Sequence, residues 1–428
     1  PPARAANARN KYRQAGDKAP ARIRAELIAE FKDVFGRQEG DESLAAAMPP
    51  AMKGPDMEIH LRQDAVPSGC TVPRRIPFAM EEAAKAELDA MRQKGLIVPV
   101  KEPTEWCSPF LVTLKPKGGV RLVVDYKKLN DYVRRPVHPF PAAQAAVEAI
   151  PPASKFFATL DATKGYWQLR LSRKASMMTT FLTQYGRFRY TRAPMGLCSS
   201  GDEFCRRGDE ALAGLEAVLK VVDDILVHAA SVGELEGRVR GVLKACRAAG
   251  ITLSPAKFKF GESSVDFVGL RITPDGSQPT PEKLKAIAEF PEPKNITDLR
   301  SFCGLANQLG GYTPEVTAAL TVLRPLLSTK RAFVWADEHR AAFQAARHTL
   351  CQVPVRAYFD PARPILLLTD ASKTKGIGHA LLQPHGEDDT LRLVACGSRA
   401  LSPAETNYAT VELEMLAVVW ACHQQRVY

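Results

Sequence analysis

Apolar residues recur at the spacing of an amphipathic helix in two early segments of the chain. The first segment, Ala21–Phe35, carries four of them, each four residues after the last: Ile23, Leu27, Phe31 and Phe35. The second segment, Pro77–Lys94, ends at Gly95, which favours a helix terminus there. Prolines interrupt the intervening Met52–Ile76, so we expect that segment to be extended.

Strand and helix patterns alternate further along the chain. Residues 108–124 predict a hairpin that turns at Pro116–Gly119. Ser231 suits the N-cap of a helix that ends before Gly250 and carries one apolar stripe, formed by Leu235, Val239, Val242, Leu243 and Cys246. Alternating apolar residues then predict strands, namely Phe258, Phe260, Val265, Phe267 and Ile272. Residues 282–355 have a mostly helical pattern, with a break at Pro291–Pro293.

Two adjacent aspartates, Asp223 and Asp224, interrupt the apolar run Val221–Val227. Carboxylates are depleted in strands and costly to bury, so this pair suits a hairpin whose charge a divalent cation neutralises. A third aspartate, Asp161, closes the strand-like run Phe156–Leu160. Magnesium prefers one or two carboxylates together with phosphate oxygens, and two such ions can clamp a phosphoryl transfer. The alternative for an isolated Asp-Asp pair is a solvated turn.

Tyr166 follows Asp161 by five residues and is itself followed by Trp167. A large ring beside a metal site could stack under the sugar of an incoming nucleotide and exclude a ribose 2′-OH. Taken alone, Tyr166 is better explained by ordinary core packing. Gln168 and Arg170 are expected to face solvent or a template.

Five motifs, in order along the chain, resemble the reverse transcriptases of gypsy-class LTR retrotransposons. Leu160–Leu169 is similar to the first catalytic motif of that family, and Val221–Val227 is similar to its Tyr-x-Asp-Asp motif. Gly118–Asn130 resembles the fingers motif, and Glu105–Pro109 resembles the segment that leads into it. Phe267–Leu270 resembles the primer-grip hairpin. Their shared order makes the resemblance more specific than any one motif.

The resemblance implies a polymerase site. Asp161, Asp223 and Asp224 would be the catalytic residues and would hold two Mg²⁺ ions, with Mn²⁺ as an alternative. The dNTP would be bound by Lys115, Arg121, Tyr166 and Met195. The guanidinium fork of Arg121 suits a triphosphate, although a solvated strand face also explains it. Lys117 is the alternative to Lys115, and Asp125 is expected to orient a partner rather than to bind metal.

The last part of the chain resembles the RNase H domain that is fused to these polymerases. The apolar run Ile365–Leu368 precedes Asp370, and a helical segment follows at Glu412–Trp420. The family's Glu-x-x-Ala pattern selects Glu414 as the second metal ligand, and leaves Glu412 on a solvated helix face. We expect only this partial site, Asp370 and Glu414, in a truncated domain, and therefore no RNase H activity.

The resemblance implies an α+β fold with four regions. It is a right-hand polymerase (fingers, palm and thumb), followed by a helical connection and the start of an RNase H-like α/β domain. The expected regions are a basic arm and N-terminal helix (1–50), fingers and palm (51–280), a thumb or connection-like helical region (281–355) and the RNase H-like domain (356–428).

The overall composition agrees with a nucleic-acid partner. The 428 residues carry a formal net charge of +11, which suits a polyanion. Expected partners are an RNA template, a DNA primer–template and dNTPs, with self-association also considered. Nine scattered cysteines without a zinc spacing favour reduced thiols and an intracellular protein, and the resemblance implies a cytoplasmic virus-like particle or the nucleus. The sequence predicts no membrane partner.

Several residues depart from the family pattern. Val221 replaces the tyrosine of Tyr-x-Asp-Asp, and Gly201 replaces a proline within Cys198–Phe204. The segment Asn307–Tyr312 lacks the family's paired aromatics. The departures keep open a decayed or domesticated copy that only binds nucleic acid, whereas the three intact aspartates favour an enzyme. An RNA-dependent RNA polymerase is a further alternative, against which Tyr166 and the RNase H-like segment argue.

Overall fold

The computed structural model describes residues 18–36, 48–115, 118–139, 142–313, 315–329, 332–374, 376–386 and 389–428. The first 17 residues of the predicted basic arm and Lys117 therefore lie outside the described residues. Within the described ranges, no helix is both long enough and apolar enough to cross a membrane.

Helices and strands alternate along the described chain. The α-helices are α1 (Lys18–Glu30), α2 (Phe78–Gln93), α3 (Lys127–Asn130), α4 (Ala143–Glu148), α5 (Arg173–Met178), α6 (Cys198–Leu212), α7 (Val232–Ala249), α8 (Pro281–Ala288), α9 (Ile296–Gln308), α10 (Glu315–Leu323), α11 (Asp337–Cys351) and α12 (Thr410–Gln424). Short 3₁₀ turns lie at Gly165–Gln168, Arg324–Leu327 and Glu405–Asn407. The strands are β1 (Ile97–Pro99), β2 (Ser108–Leu114), β3 (Val120–Val124), β4 (Phe156–Asp161), β5 (Phe181–Thr183), β6 (Gly186–Tyr190), β7 (Val218–Val221), β8 (Asp224–Ala229), β9 (Lys259–Glu262), β10 (Val265–Phe267), β11 (Leu270–Thr273), β12 (Gly276–Pro279), β13 (Leu366–Ser372), β14 (Gly376–His385) and β15 (Thr390–Arg399).

The chain divides into two compact units. The first unit comprises residues 1–142 and 157–262, and the second comprises residues 143–156 and 263–428. Two sheets belong to the first unit: a five-stranded sheet in the order β1-β6-β5-β2-β3 and a four-stranded sheet in the order β7-β8-β4-β9. The second unit holds two three-stranded antiparallel sheets, β10-β11-β12 and β13-β14-β15.

Helix α7 shows why the apolar pattern produces this fold. Its apolar stripe is fully buried, as predicted; the stripe consists of Leu235, Val239, Val242, Leu243 and Cys246. The hydroxyl of Ser231 accepts a hydrogen bond from the amide of Glu234 at 3.3 Å and so caps the helix. Gly250 ends it with a φ of +73°, where a side chain would meet the carbonyl oxygen of Ala51. The predicted start, stripe and end are all confirmed.

The other predicted elements of the first unit fall close to their expected positions. The hairpin predicted at residues 108–124 forms from β2 and β3, which pair from Phe110–Val124 to Leu114–Val120. Helix α2 ends before Gly95, which has a φ of +67°. These predictions are confirmed.

The first predicted helix ends earlier than expected. Helix α1 stops at Glu30, so Phe31 lies in the turn that follows it and Phe35 lies just beyond that turn. Both rings are nonetheless buried, and Phe35 packs on Phe258 with ring centroids 5.0 Å apart. Phe35 also forms a bridge with Leu253, and this pairing draws the chain out of the helix. Tertiary pairing here overrides the helical period.

Candidate functional site

The Asp223–Asp224 pair lies at the tip of a tight hairpin. Strands β7 and β8 pair from Val218–Val227 to Val221–Asp224, so Val222 and Asp223 alone form the turn. Val222 has a φ of +54°, a conformation that is costly for a β-branched residue. The hairpin thus accepts local strain at the position that presents the carboxylates.

Asp161 lies beside this tip because β8 and β4 are neighbours in the sheet. Asp161 is the last residue of β4, and the amide of Ala162 donates to the carbonyl oxygen of Asp223 at 3.0 Å. The carbonyl oxygen of Asp161 in turn accepts from the amide of Ser254 at 2.8 Å. Backbone hydrogen bonds therefore bring the three predicted aspartates together where β4 ends and the β7–β8 hairpin turns.

The electrostatics of these carboxylates are those of an acidic cluster. Burial, and then the charges of Asp161 and Asp224, raise the pKa of Asp223 to about 6. Burial and the charge of Asp161 also raise the pKa of Asp224. Oδ1 of Asp223 is buried and has no hydrogen-bond partner among the described residues. Each of these features is a cost that a bound cation would remove.

Lys257 supplies the one cation that contacts an aspartate of this cluster within the described residues. Its Nζ donates to Oδ1 and Oδ2 of Asp161 at 3.0 and 2.9 Å. Sequence reasoning missed Lys257, because its position beside Asp161 depends on how the turn before β9 lies against the end of β4.

The donor set fits a divalent metal in chemistry, though the side chains are not gathered as ligands. Three carboxylates, one with an orphaned oxygen, are the oxygen donors that Mg²⁺ prefers. Across the described ranges, no three His, Cys, Asp or Glu side chains are grouped closely enough to hold a metal ion. Asp161, Asp223 and Asp224 are thus the candidate ligands, and binding would require their side chains to reorient.

Gly165 lies in close contact with the side chain of Asp223. A Cβ atom at this position would lie 2.6 Å from Oδ1 of Asp223 and 2.8 Å from the ring of Phe204. Only glycine leaves room here for both side chains. The glycine belongs to the first catalytic motif, but sequence reasoning gave it no role.

Tyr166 packs against Phe204, as its core-packing interpretation predicts, and its contact with a nucleotide sugar stays a prediction. Its ring is half-buried and meets the edge of Phe204, with centroids 6.0 Å apart. Burial, and then the charge of Asp223, raise the pKa of the Tyr166 hydroxyl. A Cβ on Gly201 would lie 3.5 Å from the Tyr166 hydroxyl, so the departure at Gly201 leaves space around this group.

Met195 lies on an exposed loop that Asn130 holds in place. The Met195 residue is 66% exposed, so core packing does not account for it. Nδ2 of Asn130 donates to the carbonyl oxygen of Gly196 at 2.8 Å, and Oδ1 accepts from the amide of Cys198 at 3.0 Å. Asn130 ends the predicted fingers motif, which was the available signal for this positioning role.

The two basic dNTP candidates lie on the β2–β3 hairpin. Lys115 and Arg121 are both exposed, and no described residue contacts either side chain through a hydrogen bond or an ion pair. Both side chains therefore remain candidates for binding an anion. Asp125 pairs with Arg74 at 3.4 Å and accepts from the amide of Lys127, which agrees with the orienting role predicted for it.

The expectation that Gln168 faces solvent or a template is wrong. Its side chain is fully buried. Nε2 donates to the carbonyl oxygens of Thr163 and Thr252, and Oε1 accepts from the amide of Thr252, each at 2.9 Å. Gln168 thus ties the first catalytic motif to the strand-like segment before Lys257. Arg170 is exposed, as expected, and pairs with Asp56.

Two ion pairs behind the site also escaped the sequence analysis. Arg135 forms a bidentate pair with the fully buried carboxylate of Asp202, at 2.8 and 2.9 Å. Lys220, which pairs with Ile225 near the tip of the catalytic hairpin, donates to Asp209 at 2.8 Å. Both acidic partners lie on α6, so this helix is fixed electrostatically to the segments around it.

The partial RNase H-like site is spread over two elements of the second unit. Asp370 lies in β13, opposite Gly378 of β14, and is exposed. Glu414 is half-buried on α12. Glu412 accepts a hydrogen bond from the amide of Ala409 at 2.7 Å and so caps the helix, which agrees with a non-catalytic role.

Comparisons with known proteins agree with this geometry. Residues 113–272 match the family described as reverse transcriptase (RNA-dependent DNA polymerase). Residues 335–428 match the family described as the RNase H-like domain found in reverse transcriptase. The chain therefore carries a reverse transcriptase domain at residues 113–272, followed by an RNase H-like domain at residues 335–428.

The sequence relatives of this chain are retrotransposon polyproteins. The Transposon Tf2-3 polyprotein of Schizosaccharomyces pombe is 29% identical over 408 residues, and the Tf2-7 polyprotein is 28% identical. Each alignment covers 94% of this chain and 30% of the relative, so the chain spans under a third of those polyproteins. The predicted membership of the gypsy-class LTR retrotransposon family agrees with these relatives.

Solved structures confirm the predicted α+β fold. The foamy viral protease-reverse transcriptase in complex with dsDNA has a TM-score of 0.79 at 20% identity, covering 94% of this chain and 81% of that chain. The same viral protein with an RNA/DNA hybrid has a TM-score of 0.76 at 20% identity, covering 94% of this chain and 52% of that one. The predicted region boundaries at residues 50, 280 and 355 stay predictions.

Proposed function

We propose that this chain is an RNA- and DNA-templated DNA polymerase, in which a primer 3′-OH attacks the α-phosphate of a dNTP. The observation that carries the proposal is the convergence of Asp161 with Asp223 and Asp224 at one sheet edge, through the Ala162–Asp223 hydrogen bond of 3.0 Å. Two Mg²⁺ ions, when bound, would activate the attacking oxygen and stabilise the charge on the leaving pyrophosphate. Asp161 and Asp223 would hold them, with Asp224 in support.

The remaining residues would position the substrates. Lys115 and Arg121, exposed on the β2–β3 hairpin, would bind the triphosphate, and Tyr166 would contact the sugar. Met195 would lie beside the nucleotide on the loop that Asn130 holds. The net charge of +11 supports binding of a template–primer, which is also the kind of ligand in the related foamy viral structures. A cytoplasmic virus-like particle would be the place of this reaction.

Primer extension tests the proposal. The purified chain, an RNA template with a DNA primer and Mg²⁺ should incorporate dNTPs and not NTPs. Asp223→Asn should raise the activation free energy by several kcal/mol, because a metal-ligating charge is lost. The rate of dNTP incorporation should therefore fall more than about a hundredfold. Binding of the template–primer should change little, because backbone contacts carry most of its affinity. Equal extension by both proteins would refute the site, and binding without any extension would favour a domesticated nucleic-acid-binding protein.

A further inference from the structure

Lys257 is placed beside Asp161 by the turn that leads into β9. Thr159 of β4 faces Lys259 of β9. At the end of β4 the amide of Ser254 donates to the carbonyl oxygen of Asp161, and the turn at residues 255–257 then brings Lys257 to the carboxylate. The ammonium then bridges both carboxylate oxygens, at 3.0 and 2.9 Å.

We propose that the Lys257 ammonium and a divalent cation are alternative partners of Asp161, so that Lys257 is a built-in counter-ion which an entering cation displaces. This inference rests on the proposed function only in taking Asp161 as a metal ligand. Lys257 is thereby a positioning residue, since it holds Asp161 in the arrangement that precedes metal binding.

The surroundings of the pair make the exchange feasible. The side chain of Lys257 is 65% exposed, whereas that of Asp161 is 19% exposed. The lysine can therefore swing into solvent without leaving a cavity, while the carboxylate stays in place. An exposed lysine pair is a weak interaction, and a divalent cation that also contacts Asp223 would compete with it effectively.

The position of Lys257 also explains why a basic side chain lies beside these carboxylates. Asp223 and Asp224 lie near Asp161, and the charge of Lys257 acts favourably on all three carboxylates. Without any cation, three mutually repelling carboxylates would destabilise the sheet edge. Lys257 thus stabilises the hairpin and, by the same contact, opposes metal binding.

Mg²⁺ titration calorimetry on the full chain, without nucleic acid or dNTP, tests the exchange. Lys257→Met should tighten Mg²⁺ binding about fivefold, which is about 1 kcal/mol. The same variant should unfold at a lower temperature in EDTA. Lys257→Arg should behave as wild type in both measurements. Lys259→Met is the matched control, since no described residue forms an ion pair or a hydrogen bond with the side chain of this nearby exposed lysine, and it should change neither.

An unchanged or weaker Mg²⁺ affinity in folded Lys257→Met would overturn the proposal, because a structural or ligand-supporting lysine would act in that direction. A second measurement needs no variant. Acylation of wild-type lysines, followed by mass spectrometry, should show Lys257 becoming more reactive on addition of Mg²⁺ while Lys259 stays constant. Unchanged reactivity of Lys257 would equally refute it. Neither readout uses primer extension, so failure of the polymerase proposal is a separate result.

Discussion

Gly165 and Asp223 are in such close contact that a single methyl group cannot be placed between them. The Cβ of an alanine at residue 165 would lie 2.6 Å from Oδ1 of Asp223, and 2.8 Å from the ring of Phe204. The glycine is therefore a spatial requirement of the catalytic hairpin. Since Gly165 has no positive φ, the restriction comes from packing and not from the backbone conformation.

Gly165→Ala should accordingly lower the free energy of unfolding by about 1–3 kcal/mol, the usual cost of overpacking. It should also lower dNTP incorporation, because Asp223 must move away from the added methyl group. Gly233→Ala in α7 is the control, since nothing lies within 4 Å of its Cβ position. Urea denaturation of both variants provides the measurement. A neutral Gly165→Ala would show that Asp223 has room to shift.

Sequence patterns predicted the parts of this molecule that depend on local periodicity. The buried stripe of α7 follows from its own residues, and so does the β2–β3 hairpin. The pairing of Lys257 with Asp161 could not be predicted in this way, because it depends on contact between a turn and a strand about a hundred residues apart. Gln168 was misjudged for the same reason, since its partner Thr252 is 84 residues distant.

Because Val222 is strained, replacing it with glycine should change the stability in the opposite direction to the same replacement at its neighbour Val221. Val222→Gly should stabilise the protein by about 1 kcal/mol, because glycine adopts a φ of +54° without the cost that valine pays. Val221→Gly, in a regular strand, should destabilise it by about 0.5–1 kcal/mol. Thermal or urea unfolding of the pair distinguishes the effects. Destabilisation of the same size by both changes would mean that the turn is unstrained.

The raised pKa of Asp223 predicts how Mg²⁺ binding depends on pH. With a folded pKa of about 6, Asp223 is protonated below that value and must lose the proton to bind metal. The apparent Mg²⁺ affinity should therefore fall by about tenfold per pH unit below pH 6. Calorimetry between pH 5 and pH 7.5 would measure this. An affinity that is constant down to pH 5 would contradict the raised pKa.

The same shift has a consequence for stability in EDTA. Because the folded pKa of Asp223 lies above its ordinary value of 3.8, the folded state binds the proton more tightly than the unfolded state does. Stability from this group is present at low pH and is lost as the pH rises from about 4 to about 6. Asp223→Asn should not lose this stability. The thermal midpoint of the variant minus that of the wild type should therefore increase as the pH rises through this window. Parallel pH profiles of the two proteins would argue against the assignment.

Tyr166 should discriminate between sugars through its ring rather than through its hydroxyl. The ring meets Phe204 at a T-shaped angle, with centroids 6.0 Å apart, whereas the hydroxyl lies toward Gly201, which has no side chain. Tyr166→Ala should therefore lower the preference for dNTPs over NTPs by about tenfold, equivalent to about 1.4 kcal/mol. Tyr166→Phe retains the ring and should keep the wild-type preference. Single-nucleotide incorporation with dNTP and matching NTP, expressed as the ratio of kcat/KM values, measures this. If Tyr166→Ala changes stability but leaves the ratio as in wild type, Tyr166 is a packing residue only, and the sugar must be selected by another side chain.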